Sequence, residues 1–220
     1  MVSEWWVDPS QPIERIDTDA ELHAAALLVA QFRTGFQDPL NRVSMGVRSF
    51  VNSEGAPTVV TQRLKRLTTI VGKLARIPGM NLARMQDIGG CRAIVPTQAQ
   101  AERVLRRIRK NSDVTRVDDY ATEPKATGYR AIHAVVRRRG RLIEIQLRTP
   151  LQQRWAAEVD RAGGLLGVVL KDGQGPPELV AAFAELAGRI ALTGDAPGQA
   201  DVEGEFQAIR AQVRGHLTTK

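Results

Sequence analysis

Between Arg141 and Arg148 the chain alternates in strict period two, with Ile143, Ile145 and Leu147 on one side and Glu144, Gln146 and Arg148 on the other. The apolar side must lie on a hydrophobic core. The other side presents a carboxylate between an amide and a guanidinium, which is costly to bury unless the group is paired or binds something. The segment therefore predicts either an edge strand with a polar outer face or a strand whose polar face holds a ligand. Arg139-Gly140 predicts a hairpin turn back to a second strand over 128–136, which places Tyr129, Ala131 and His133 on a common face.

The rest of the chain supplies the surroundings. Residues 87–95 and 112–120 read as further strands around a helix at 99–110, and Thr58–Leu64 reads as a strand leading into a helix from Lys65 to Arg76. Helices are predicted at 19–33, opened by an Asp-rich cap, and at 36–52, 150–162, 177–193 and 199–216. This is an α/β (α+β) mixture with no internal repeat. It divides into an N-terminal helical segment (1–57), a core (58–162) and C-terminal helices (163–220). Both glycines of Asp87-Ile-Gly-Gly-Cys-Arg92 predict a bulge and the close approach of a ligand.

Several function classes are excluded by simple counts. Cys91 is the only cysteine, and the three histidines, His23, His133 and His216, are far apart, which argues against disulfides and a zinc site. The apolar runs are too short to span a bilayer and the N-terminus lacks a basic-then-apolar leader, so a cytoplasmic protein without membrane contact is expected. No Gly-Lys-Ser/Thr phosphate loop occurs.

Charge is distributed unevenly. The net charge is +7, yet residues 1–30 carry one Arg against six acids and residues 171–220 carry five bases against seven acids, which leaves +14 for residues 31–170. Such a field attracts phosphate-bearing partners, nucleotides or nucleic acid; a solvated basic surface is the alternative. Asp87 is the only acid among residues 61–92, beside Arg63, Lys65, Arg66, Lys73, Arg76, Arg84 and Arg92. Two carboxylates from separate strands, Asp87 and Glu144, suit Mg²⁺ when substrate phosphates and water complete its shell. Lys65, Thr69 and Lys73 recur every fourth residue, a spacing that lines them along one side of the helix start to grip phosphates.

In order, RLKRLTTIVGK (63–73), DIGGCR (87–92), PKATGYRAIH (124–133), EIQLRT (144–149) and LQQRWA (151–156) resemble the synthetase domain of the RelA/SpoT family. The resemblance implies a nucleotidyltransferase-like mixed β-sheet flanked by helices. It also implies transfer of pyrophosphate from ATP to a ribose 3′-hydroxyl. Arg63 and Arg92 would sandwich the adenine, Lys65, Thr69 and Lys73 would hold the ATP phosphates, and Asp87 and Glu144 would bind Mg²⁺, with Glu144 taking the hydroxyl proton. Tyr129 would stack on the acceptor base, while Lys125, His133, Gln146 and Arg148 would orient acceptor and phosphates. No His-Asp pair occurs, so a small synthetase-only member is expected.

The acceptor is left open between tRNA and a free nucleotide. LQQRWAAEVD (151–160) looks more like the toxin branch of the family, whose members modify the 3′-CCA end of tRNA or make adenosine alarmones and are neutralised by an antitoxin. Arg103, Arg106, Arg107, Arg109 and Lys110, with Arg137, Arg138, Arg139 and Arg141, would then hold the acceptor stem. That reading is preferred over one in which GDP or GTP stacks on Tyr129 and the clusters are solvated or form an oligomer contact. A non-catalytic scaffold is the third.

Overall fold

The computed structural model describes residues 19–55, 59–193 and 200–218. Helices α1 (Asp19–Thr34) and α2 (Gln37–Asn52) are followed by β1 (Val59–Leu64), α3 (Leu67–Arg76), β2 (Gly89–Ile94), α4 (Gln98–Asn111) and β3 (Asp113–Asp119). Strands β4 (Ile132–Arg138) and β5 (Arg141–Arg148) then lead to α5 (Pro150–Leu166), α6 (Pro177–Thr193) and α7 (Ala200–Thr218). The sheet order is β1-β2-β5-β4-β3, with β2 and β5 parallel and all other neighbours antiparallel. This mixed five-stranded sheet with helical flanks is the nucleotidyltransferase-like arrangement.

Strand β5 is central, which removes the edge-strand alternative. Its Ile143, Ile145 and Leu147 are at most 1% exposed and pack with β2, β4, α2 and α4 in one core. Each such side chain contributes about 1.5–3 kcal/mol relative to exposure. A second core lies among α5, α6 and α7, where Trp155, Phe183 and Phe206 are buried together with Tyr129 and Ala131. Tyr129 therefore belongs to the helical cluster although its neighbours Ile132 and Ala134 belong to the sheet core.

Local chemistry sets the boundaries. Thr97 and Gln100 form a reciprocal cap at the start of α4, and Thr149 and Gln152 do the same for α5, with Pro150 in its first turn. Arg139 (φ 51°) and Gly140 (φ 73°) are the two left-handed residues of the β4–β5 turn.

Three expectations are corrected. The helix begins at Leu67 rather than Lys65, because Arg66 is extended, so Lys65 does not lie on a helical stripe with Thr69 and Lys73. Gly89 and Gly90 make no bulge, since β1 and β5 pair in continuous register through both. The irregularity lies between Val114 and Arg116 of β3. The strand predicted from Gly128 starts only at Ile132, because the chain up to Ala131 packs irregularly on α6. The predicted Asp-rich cap lies partly outside the described residues.

Cys91 is buried in β2, and burial pushes its thiol up to about 12, so it is inert at neutral pH. In the helical core Glu158 is held by Arg210 through Nε at 3.1 Å and through Nη2. Its hydrogen bonds to Arg210, which outweigh burial, hold the carboxyl below its ordinary 4.5. A depressed carboxylate contributes stability that is present above about pH 4.5 and lost as pH falls through its lower folded value. Glu158→Gln is expected to flatten that part of the pH–stability curve, as read by urea unfolding at stepped pH.

Candidate active site

The polar face of the sheet is assembled by register. Across the strands, Thr61, Arg92, Gln146, His133 and Asp118 form one row, and Arg63, Gly90, Glu144, Val135 and Arg116 form the next. Period-two alternation sends these side chains to the side opposite Ile143 and Ile145. Arg63 and Arg92 are thus diagonal neighbours, and the floor between Arg63 and Glu144 is the side-chain-free Gly90.

At the N-terminal end of β2, Asp87 receives Lys65 Nζ at 2.5 Å and Lys73 Nζ at 2.9 Å. Lys65 reaches it from the β1–α3 junction, where its backbone is pinned by Lys65 N–H to Ile88 O (2.8 Å) and Arg33 Nε to Lys65 O (2.7 Å). Lys73 comes from α3. Burial works to raise the Asp87 pKa, but the hydrogen bonds and charges of Lys65 and Lys73 outweigh it and hold the carboxyl below its ordinary value. Thr69 is exposed on α3 and does not join this contact.

Glu144 sits in a second network. His133 Nδ1 lies 3.0 Å from Oε1 and Gln146 Nε2 donates to Oε2 at 2.7 Å. His133 Nε2 is 2.6 Å from Tyr129 Oη, which accepts from Arg148 Nη2 at 2.7 Å. These contacts are mutually consistent when His133 carries its proton on Nδ1 and accepts from the Tyr129 hydroxyl. Burial raises the Glu144 pKa, yet His133 and Gln146 more than offset this and keep the carboxyl below its ordinary value. The charge of Asp87 acts on it in the raising direction, which marks the two carboxylates as electrostatic neighbours.

The guanidinium groups beside them, unlike Lys65 and Lys73, lack carboxylate partners among the described residues. Arg148 is 5% exposed, donates to Gln153 Oε1 at 3.0 Å and to Tyr129, and has a buried Nε without a partner. Among the described residues no carboxylate lies within 4.0 Å of Arg148, Arg63 or Arg92. Burial, then the charges of Arg148 and Arg63, lower the Arg92 pKa. Removing one partner of a buried ion pair is strongly destabilising, so a buried guanidinium with no carboxylate is a ready seat for a phosphate or another anion.

The aromatic residues divide unequally. Tyr129 is 9% exposed, and burial raises its hydroxyl pKa against the opposing effect of Arg148. Its ring meets Tyr120, His133 and Trp155 edge-on or tilted, with Lys125 Nζ at 5.5 Å. Tyr120 is more exposed, with Lys125 Nζ 5.1 Å from its centroid. Tyr120 and Asp118 were missed by sequence reasoning; the register of β3 against His133 brings Asp118 in, and the β3 spacing alone could have signalled it.

Among the described residues no group of three or more His, Cys, Asp and Glu side chains could enclose a metal ion. Asp87 and Glu144 together offer two carboxylates, a partial oxygen set of the kind Mg²⁺ takes beside substrate phosphates. They fit that role, with the Lys65 and Lys73 ammonium groups beside Asp87 at 2.5 and 2.9 Å.

The basic clusters do not assemble as one free surface. Arg103 donates to Glu54 at 2.6 Å, Arg107 lies 3.9 Å from the same carboxylate, Arg139 donates to Asp38 at 2.8 Å and Arg137 lies 3.8 Å from Asp113. Arg141 lies over the Phe32 ring at 4.5 Å. Arg106, Arg109, Lys110 and Arg138 are exposed and make no ion pair within 4.0 Å among the described residues.

A substitution separates floor from fold. A Cβ at Gly90 would meet only Glu144 O at 3.6 Å, an ordinary contact. Gly90→Val is therefore expected to preserve the thermal melt while filling the space between Arg63 and Glu144 and weakening nucleotide binding about 10-fold or more, measured by isothermal titration.

Residues 62–161 match the model described as the region found in RelA / SpoT proteins. An uncharacterized protein of Mycobacterium tuberculosis is 32% identical over 143 residues, covering 63% of this chain and 52% of that protein. The GTP pyrophosphokinase YjbM of Bacillus subtilis is 35% identical over 109 residues, covering 44% of this chain and 52% of that one. The chain spans about half the length of the curated relatives it matches. Among solved structures, small alarmone synthetase 1 of Bacillus subtilis bound to its product pppGpp superposes with a TM-score of 0.61 at 22% identity, over 83% of this chain and 98% of that one. Small alarmone synthetase 2 of the same organism gives 0.59 at 24% identity, over 76% and 91%. These two likenesses concern the fold.

Proposed function

We propose, from the match of residues 62–161 to the region found in RelA / SpoT proteins, that this chain transfers the β,γ-pyrophosphate of ATP to the 3′-hydroxyl of a guanosine nucleotide. The observation that carries the reading is the grouping of Arg63, Arg92, Arg148 and Glu144 on one sheet face with Lys65, Lys73 and Asp87 at its β1–α3 end. That charge pattern suits a polyphosphate and its metal.

Arg63 and Arg92 hold the adenine between planar guanidinium groups. Lys65, Lys73 and Thr69 hold the phosphates. Asp87 and Glu144 hold Mg²⁺, which supplies neutralisation of charge on the phosphate oxygens. The acceptor stacks against the Tyr129 side of the cleft, with Tyr120 at its more exposed edge, and Lys125, His133, Gln146 and Arg148 orient it. Glu144 takes the proton of the 3′-hydroxyl as its oxygen bonds to the β-phosphorus. The bond from that phosphorus to the α,β-bridging oxygen breaks and AMP leaves with the electron pair. Catalysis is mostly positioning and charge stabilisation.

The guanosine acceptor replaces tRNA as the preferred reading. Support comes from the names of the relatives, a GTP pyrophosphokinase and a synthetase whose product is pppGpp, and from the ion pairs that occupy Arg103, Arg107, Arg137 and Arg139. The tRNA reading, with its antitoxin, draws on Arg106, Arg109, Lys110 and Arg138 and on the sequence following Trp155. Incubation with γ-labelled ATP, Mg²⁺ and either GDP, GTP, an adenosine nucleotide or deacylated tRNA tests this. Label is expected on GDP or GTP; label on tRNA or an adenosine nucleotide alone overturns the guanosine reading.

A further inference from the structure

We propose that the C-terminal helices hold a second ligand site, for a small amphiphile with an apolar chain or ring and one carboxylate. A cavity of about 260 Å³ opens between α5, α6 and α7. Its walls are Ala162, Leu165, Phe183, Phe206, Ile209 and Val213, six apolar side chains from three helices. Leu165 is 57% exposed, an apolar residue left in water at this site. Apolar walls with a few polar groups are the general form of small-molecule pockets, and this volume lies just below their usual lower bound of about 300 Å³. The occupant is accordingly small.

Charge selects its head group. Glu158, Arg161, Arg210 and Arg214 also line the cavity. Arg210 is committed to Glu158, with Glu203 3.7 Å from its Nη1. Arg161 and Arg214 are exposed, and neither makes an ion pair within 4.0 Å among the described residues. One acid against three guanidinium groups leaves the lining net positive, which favours an anion and disfavours a cation of equal hydrophobicity.

The cavity shares no lining residue with the sheet-face site, yet it touches the same framework. The Phe183 ring meets Trp155 edge-on at 6.1 Å, and Phe183 O accepts Trp155 Nε1–H at 2.8 Å. Trp155 in turn lies 6.3 Å from Tyr129. On the same helix, beside Phe183 and one turn further on, a Cβ on Gly128 would come within 2.8 Å of Ala184 Cα and 2.7 Å of Ala187 Cβ. An occupant leaning on Phe183 therefore presses on the helix that supports the Tyr120–Tyr129 loop.

Titration of decanoate into the full chain, below its micelle concentration and without nucleotides, tests the site by calorimetry. Saturable binding of one decanoate per chain is expected, with decyltrimethylammonium at least about tenfold weaker. The exposed pair Arg161→Glu and Arg214→Glu should weaken decanoate by about tenfold or more without changing the melt. Val213→Trp, which fills the cavity, should abolish binding. Absence of saturable binding, equal binding of the two amphiphiles, or undiminished binding by the Arg pair overturns the proposal. Sedimentation showing a second copy seated over the cavity, with decanoate excluded, overturns it too. Binding is read without transfer, so its failure leaves the proposed reaction untouched.

Discussion

Glu144→Gln is expected to lower pyrophosphate transfer by about 10³-fold while shifting the thermal melt little. A positioned general base is worth about 10²–10⁴-fold, and here the same carboxylate stands with Asp87 beside the cation cluster. Gln keeps the shape and can still accept from His133 or Gln146, so the sheet loses little. It removes the charge that draws in a metal and the lone pair that takes the hydroxyl proton. The loss should fall on kcat rather than on the KM of either nucleotide, because the role belongs to the transition state. Asp87→Asn provides the comparison: it frees Lys65 and Lys73 from their shared counter-ion but removes the other carboxylate of the proposed metal seat, so it too should lower transfer. Transfer by Glu144→Gln within about tenfold of the unaltered protein would remove Glu144 from both roles.

Trp155→Ala is expected to cost about 3–5 kcal/mol, the range for deleting a large buried aromatic. For a chain of this length that lowers the melting temperature by roughly 10 °C. Trp155 is 2% exposed, touches Phe183 and Tyr129 with its ring, and donates its N–H to Phe183 O. The truncation opens a cavity at the junction between the helical core and Tyr129, on the side where the acceptor is proposed to bind. Acceptor KM should therefore rise in parallel with the loss of stability. Trp155→Phe keeps an aromatic ring but removes the N–H donated to Phe183 O, whose carbonyl stays inside α6, a smaller loss of about 0.5–1.5 kcal/mol. Differential scanning calorimetry on both variants checks the pair; a melt unchanged in Trp155→Ala would mean that the helical core does not depend on this contact.

How much was legible beforehand depended on range. The faces of β5 were readable because alternation is a local consequence of the strand backbone. Ile143, Ile145 and Leu147 could only point one way if Glu144, Gln146 and Arg148 pointed the other. The β4–β5 turn was readable at Arg139-Gly140 for the same reason. Lys65 was misplaced because a four-residue spacing implies a helical stripe only inside a helix, and the extended Arg66 breaks it. The lysine still reaches Asp87, by tertiary contact instead of periodicity.

Composition was similarly limited. The +14 segment was countable, but a count does not say that Glu54 takes Arg103 and Arg107 or that Asp38 takes Arg139. Those acids lie 49, 53 and 101 positions away in the chain. Nor could the pattern around Tyr129 tell that its ring packs on the C-terminal helices, or that His133 and Arg148 both engage its hydroxyl.

The sequence by itself determined the α/β composition, the two-sided character of β5 and the basic middle, all consequences of local backbone geometry and counting, and it carries the motifs on which the family resemblance rests. Tertiary structure alone decided that β5 is central, that Asp87 and Glu144 act on one another, that four of the nine clustered cations sit in ion pairs, and that a cationic-rimmed cavity lies beside the helix that supports the Tyr120–Tyr129 loop. These depend on strand register and helix docking, which bring together residues tens of positions apart and leave no periodic mark in the chain.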